Sequence, residues 1–143
     1  MDFPGFETVE LAPSRDVNYV YVVGIVDFRG GFVPFYVGES SRLLGRIADH
    51  VKANFSAPTD FKVGEAVKRF QEIGYTVRLK FKESENPRED EKRLIHRVEA
   101  EMGDAFLLNN LRGYDYKTAV EPDERSNVHD FVDNFLRGMA HFA

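Results

Sequence analysis

The hydrophobic pattern begins with an unbroken run, Tyr19-Val20-Tyr21-Val22-Val23-Gly24-Ile25-Val26, rich in β-branched and aromatic residues. Such a run predicts a buried strand. Asp27-Phe28-Arg29-Gly30-Gly31 is a turn cluster, and Phe32 to Val37 predicts the antiparallel partner of a hairpin. Pro34 implies that this second strand starts late or lies on a sheet edge, because proline cannot donate a ladder hydrogen bond. Beyond Gly38 the period changes to a helical one. Leu43, Leu44, Ile47 and Val51 form an apolar stripe, with Ser40 or Ser41 as the cap and an end near Ala53.

Residues 60–73 predict a second helix, with Phe61, Ala66, Val67 and Phe70 inward and Gly74 as the stop. Tyr75, Val77, Leu79 and Phe81 then alternate with Thr76, Arg78 and Lys80, a third strand with one wet face. After a polar loop containing Pro87, a helix runs from Glu89 to about Met102, followed by Leu107-Leu108-Asn109-Asn110. A loop beyond Arg112 ends near Ser126. Val128, Phe131, Val132, Phe135, Leu136 and Met139 then recur at helical spacing and predict a last amphipathic helix. The chain has no internal repeat or low-complexity tract, and its 143 residues suit a single domain, 1–143, with a core of its own.

Composition narrows the class. Thirteen Phe and six Tyr supply large apolar surface, which argues against wholesale disorder. The absence of Cys excludes disulfides and thiolate metal sites. The acidic start Met1-Asp2-Phe3-Pro4-Gly5 is unlike a signal peptide, and the run 19–26 is far shorter than the ~20 residues a membrane helix needs. A soluble, cytoplasmic protein without a membrane span is the expectation. The net charge of −5 opposes phosphate binding, yet the charges are uneven. Lys62, Lys68, Arg69, Arg78, Lys80 and Lys82 outnumber Glu65 and Glu72 within 62–82, inside an acidic frame. Such a run suits a phosphate track, for which Lys62, Lys68, Arg69 and the separate Arg42 are candidates; it equally suits a solvated face.

Several residues stand out against this background. A hairpin sets Tyr21 and Tyr36 on neighbouring strands, although strand tyrosines are ordinarily packing residues with a wet hydroxyl. Arg46 and His50 stand at i and i+4 on the predicted first helix, an arrangement that a solvent-facing stripe also gives. An arginine there can stabilise charge on phosphate oxygens, and a histidine can accept a proton near neutral pH. Glu91 falls on the same helix face as Leu94, Ile95, Val98 and Met102, where a bare carboxylate is costly without a partner or a metal. A first-turn acid complementing the helix dipole is the simpler alternative. Asn109 and Asn110 alone read as a turn or cap. The four histidines show no paired metal spacing.

Taken in order, Tyr19-Val20-Tyr21, Tyr36-Val37-Gly38, Gly45-Arg46-Ile47-Ala48-Asp49-His50, Glu91 with Leu94-Ile95, and Leu107-Leu108-Asn109 resemble the motifs of the GIY-YIG nuclease family. The resemblance spans about residues 17–113 and leaves about 114–143 as a C-terminal helical extension. Tyr19 replaces the first glycine of that pattern, Val20 and Val37 replace isoleucines, and Glu39 follows the second tripeptide where a polar or basic residue is more familiar.

The resemblance implies an α+β fold: a small three-stranded antiparallel sheet flanked by helices, with an additional C-terminal amphipathic helix. It also implies metal-dependent DNA endonuclease activity. Glu91 would be the sole protein ligand of a hydrated Mg²⁺ or Mn²⁺. Tyr21, assisted by His50, would activate the attacking water, Arg46 would stabilise the transition state, Tyr36 would orient water or phosphate, and Asn109 would support the site. The alternative is a module on the same fold that binds nucleic acid or protein without cutting. The C-terminal Phe stripe suits either the core or a contact in which Phe131, Phe135 and Met139 offer a face to a protein partner or a second copy.

Overall fold

The structure, a computed structural model, describes residues 1–8, 18–40, 58–111 and 122–139. The run 19–26 forms the central strand β1 (Tyr19–Val26). On one side it pairs antiparallel with β2 (Phe32–Ser40), and on the other antiparallel with β3 (Thr76–Glu83), giving the order β2-β1-β3. The hairpin turn is built by Asp27, whose carboxylate accepts the N–H groups of Arg29 at 2.9 Å and Gly31 at 2.7 Å. Gly30 adopts the positive φ of 81° that this turn requires.

β2 is an edge strand, which accounts for Pro34. It also carries a bulge. Val23 faces Tyr36 and Gly24 faces Pro34, so Phe35 is the extra residue. The bulge turns Phe35 and Tyr36 into the same buried cluster, giving that sheet face two adjacent aromatic rings. β2 runs on to Ser40, three residues past the expected end at Val37. The helix expected from there to Ala53 lies outside the described residues.

Among the described residues three helices cover the sheet: α1 (Pro58–Ile73), α2 (Pro87–Met102) and α3 (Pro122–Met139). Gly74, at φ 110°, ends α1 as expected, and its N–H and that of Tyr75 both return to the Phe70 carbonyl. α1 and α3 pack together over one sheet face. Their contact with it centres on Phe35, Phe70 and Phe135, with ring centroids 4.8 Å (35–70), 5.5 Å (70–135) and 6.4 Å (35–135) apart. Truncating one such ring to Ala costs about 3–5 kcal/mol. α2 covers the other face, where Leu94, Ile95, Val98 and Met102 meet Val22, Val37 and Leu107.

The α+β architecture and the C-terminal helix are thus as the sequence implied. Of the two roles open to the stripe on that helix, the structure has the core. Phe131 and Phe135 are buried in the chain's own core with Val128 and Val132, so the stripe is not a face held out to a partner. α3 also starts at Pro122, four residues before Ser126, with Asp123 and Glu124 in its first turn. Among the described residues no helix is long and apolar enough to cross a membrane.

Candidate functional site

The alternation of β1 and β2 sends Tyr21 and Tyr36 to the sheet face covered by α1 and α3. Their rings are 6.3 Å apart and inclined at 41°. Both are largely buried, 4% and 8% exposed. Tyr21 stands opposite Gly38, and its ring lies across that residue. A Cβ added to Gly38 would meet the Tyr21 Oη at 2.5 Å and its Cε1 at 2.9 Å, closer than real Cβ atoms approach anything. Gly38 is therefore required by the tyrosine above it, not by its own backbone angles.

Asn109 reaches the same strand from its open side. As an edge strand, β2 leaves the outward N–H and C=O of Val37 without a strand partner. The Asn109 Oδ1 accepts the Val37 N–H at 2.9 Å, and its Nδ2 donates to the Val37 carbonyl at 2.7 Å. One side-chain amide thus imitates a neighbouring strand. It is held there by a short 3₁₀ turn, Leu108–Asn110, anchored by the buried Leu107 and Leu108. Asn110 bonds away from the strand, to Glu99 Oε1 at 3.4 Å and the Asp104 carbonyl at 3.2 Å.

Glu91 approaches from the opposite sheet face. It is half-buried on α2, in line with the Leu94, Ile95 and Val98 stripe that packs on the sheet. Burial pushes its pKa above the ordinary glutamate range. The negative charge of Glu39 pushes it further, and Arg88 acts the other way. Glu39 and Arg88 both border an open polar cleft of about 420 Å³, which Asn18, Glu85 and Glu89 also line. At the mouth of α2, Ser84 Oγ donates to Asp90 Oδ2 at 2.5 Å and ties the helix start to the end of β3.

Three consecutive residues of one edge strand therefore meet three distant candidates. Val37 is gripped edge-on by Asn109, Gly38 lies beneath Tyr21, and the charge of Glu39 helps to raise the pKa of Glu91. The tyrosines and Glu91 themselves stand on opposite faces of the sheet.

No family model, curated protein or solved structure matches this chain.

The remaining sequence candidates divide. Arg42, Arg46 and His50 lie outside the described residues. Lys62 is buried, and burial pulls its pKa down to about 8. Arg69 pairs with Asp133 at 3.3 Å across α1 and α3. Of the named phosphate-track residues on α1, Lys68 alone is exposed. These three side chains do not make a common exposed track. On the same helix the buried Glu65 is met by His129 Nε2 at 3.1 Å and Arg125 Nε at 3.4 Å, a cross-brace between α1 and α3.

The donor chemistry near Glu91 suits a hard cation. Mg²⁺ and Mn²⁺ prefer carboxylate oxygens and retain several waters, so one or two carboxylates suffice. Glu91 would hold such an ion, and the charge of Glu39 acts on it. Among the described residues no group of three or more acidic or histidine side chains is arranged around a common metal position. Glu39 appears in the sequence only as a departure from a motif, and its relation to Glu91 emerges from the packing of α2 on β2.

Proposed function

We propose that this chain is a metal-dependent endonuclease that hydrolyses DNA phosphodiester bonds by a one-metal mechanism of the GIY-YIG kind. The observation that supports this reading best is the convergence on β2. Asn109, Tyr21 and Glu91 come from three separate parts of the chain, and each acts on one residue of the segment Val37-Gly38-Glu39. Packing alone demands neither the amide grip on Val37 nor a carboxylate on an apolar helix stripe.

In this reading Glu91 would hold the cation, which would supply Lewis-acid stabilisation of the leaving oxygen. Tyr21, assisted by His50, takes the proton of the attacking water as the new P–O bond forms and the bond to the leaving oxygen breaks. A phenol titrates near 10, so the positive charge of Arg46 is needed to make Tyr21 a useful base. Arg46 also stabilises the charge gathering on the phosphate oxygens, and Tyr36 orients water or phosphate. Asn109 keeps the edge strand in register.

One observation favours the second reading, a module on this fold that does not cut. Both tyrosine rings are more than nine-tenths buried, on the sheet face away from Glu91.

The test is cleavage of supercoiled, branched and single-stranded DNA in Mg²⁺ or Mn²⁺ by the native chain, Glu91→Gln and Tyr21→Phe. The nuclease reading expects nicking by the native chain, lost in Glu91→Gln, and slowed about 10²–10⁴-fold in Tyr21→Phe. DNA binding without any cutting establishes the second reading. Cutting that survives Glu91→Gln refutes the assignment of the metal ligand.

A further inference from the structure

β3 is the second edge of the sheet, and its two faces differ sharply. Val77 and Leu79 turn toward the α1 and α3 core. Arg78, Lys80 and Lys82 stand opposite Gly24, Val22 and Val20 of β1 and so belong to the other face. α2 packs over β2 and β1 on that face, and all three cations remain exposed. Among the described residues no carboxylate lies within ion-pairing distance of any of them.

The row is also partly fixed in place. The Lys80 Nζ sits 4.4 Å over the centre of the Phe32 ring. That ring lies across Gly24, where a Cβ would meet its Cζ at 2.6 Å. A glycine in the central strand thus lets Phe32 lie down and hold an ammonium group over the sheet.

We propose that Arg78, Lys80 and Lys82 form a phosphate-binding track for the backbone of duplex DNA. The proposal rests on the nuclease reading and adds to it the route by which substrate reaches the site. Alternate residues on a strand repeat at about 6.8 Å, so the three cations span about 14 Å. That length covers about four base-pair steps of 3.4 Å along one strand of a duplex. The direction fits as well. Val20 is paired with Lys82 on one side and Glu39 on the other, in a single row across the sheet. Two strand spacings of about 4.8 Å put the end of the track about 10 Å from the residue that acts on Glu91. On a chain of net charge −5, an exposed basic row without a carboxylate partner among the described residues, leading to the candidate metal ligand, is a place where a polyanion binds at low electrostatic cost.

The experiment measures binding of a labelled DNA duplex by anisotropy, in EDTA, as a function of NaCl. It compares the full native chain, the triple variant Arg78→Gln, Lys80→Gln, Lys82→Gln, and the charge-keeping triple variant Arg78→Lys, Lys80→Arg, Lys82→Arg. Each phosphate contact contributes about 0.9 to the slope of log affinity against log salt. The glutamine variant should lose about 2.7 of that slope, so its affinity falls about 40-fold less than the native chain's between about 50 and 200 mM NaCl. The charge-keeping variant should restore the slope. If the native chain binds or cuts DNA and the glutamine variant keeps its slope, the track is refuted while the nuclease reading stands. A glutamine variant that aggregates while its DNA binding is unchanged likewise refutes the track, assigning the cations to edge protection alone. If the native chain neither binds nor cuts any DNA, the nuclease reading fails and takes the track with it.

Discussion

Asn109→Ala removes two hydrogen bonds at once and leaves both backbone groups of Val37 unpaired. Val37 is fully buried as a residue, whereas Asn109 is only partly so. A buried polar group left unsatisfied costs about 1–3 kcal/mol, and two such groups set an upper range of about 2–6. Water entering the space left by the amide recovers part of this, which places the expected loss at about 2–4 kcal/mol. For a chain of this size each kcal/mol lowers the melting temperature by about 3–5 °C. Urea denaturation followed by circular dichroism measures the loss directly, with the slope m expected to stay unchanged.

The isosteric change Asn109→Asp sharpens the test. It keeps an oxygen to accept the Val37 N–H but sets a second oxygen against the Val37 carbonyl. The folded state then disfavours the ionised form, so the new carboxyl titrates above its unfolded value. Its stabilising contribution is present at low pH, where it regains a donor, and is lost as pH rises through the folded pKa. The aspartate variant should therefore approach the native stability on acidification, while the alanine variant should not. An alanine variant within about 0.5 kcal/mol of the native chain would refute the edge-brace account of Asn109.

The other predictions concern the same strand and the groups around it. Gly38→Ala should displace the Tyr21 ring, costing about 1–3 kcal/mol in urea denaturation and reducing any nicking as far as Tyr21→Phe does; native activity would show that the close approach is irrelevant. The raised pKa of Glu91 means that its ionisation opposes folding, a penalty absent below the ordinary glutamate range and felt as pH rises through the folded value. Glu91→Gln should thus melt higher than the metal-free native chain at pH 7, with the difference closing near pH 4; Mg²⁺ or Mn²⁺ should raise the native melting temperature alone, and a shift shared by the variant would exclude Glu91 as the ligand. Lys62 is held near 8 by burial, so its unfolded form binds the extra proton between about pH 8 and 10.4 and stability rises with pH across that window. Lys62→Met should remove that rise, read by urea denaturation at pH 7 and pH 10; a rise that survives in the variant would show that another group carries it.

Periodicity carried much of this fold in the sequence. The run 19–26, the Gly74 stop and the i, i+3, i+4, i+7 stripe that includes Glu91 all set local geometry through neighbouring residues, and the structure has them in the expected places. What the pattern could not carry was pairing at long range. The Asn109 grip joins side chain to backbone across 72 positions, and no spacing rule reports such a bond. The α3 stripe was legible as helical, but whether it faced a partner or the core depended on Phe35 and Phe70, which come from a bulge and another helix. Summed charge over 62–82 likewise merged two faces: on α1 the cations are buried or paired, with Lys68 the exception, and on β3 they are exposed.

The sheet sets a geometric condition on the nuclease reading. Tyr21 and Tyr36 stand on one face and Glu91 on the other, and a closed sheet would keep them apart. Among the described residues this sheet has three strands, and the tyrosines lie at its β1–β2 border. The segment that separates them from Glu91 is thus an edge strand, narrowed at Gly38 to bare backbone. On the nuclease reading, a phosphate at the end of β2 would be reached from both faces around that edge, which a central strand would forbid. Any side chain at position 38 closes the gap on the Tyr21 side, and any loosening of Val37 from Asn109 lets the edge move. The two changes differ in one respect. Loss of the Asn109 brace should lower stability and activity together, whereas a larger residue at 38 should cost activity beyond its effect on stability. Equal scaling of the two losses in both variants would mean that the edge of β2 is structure alone.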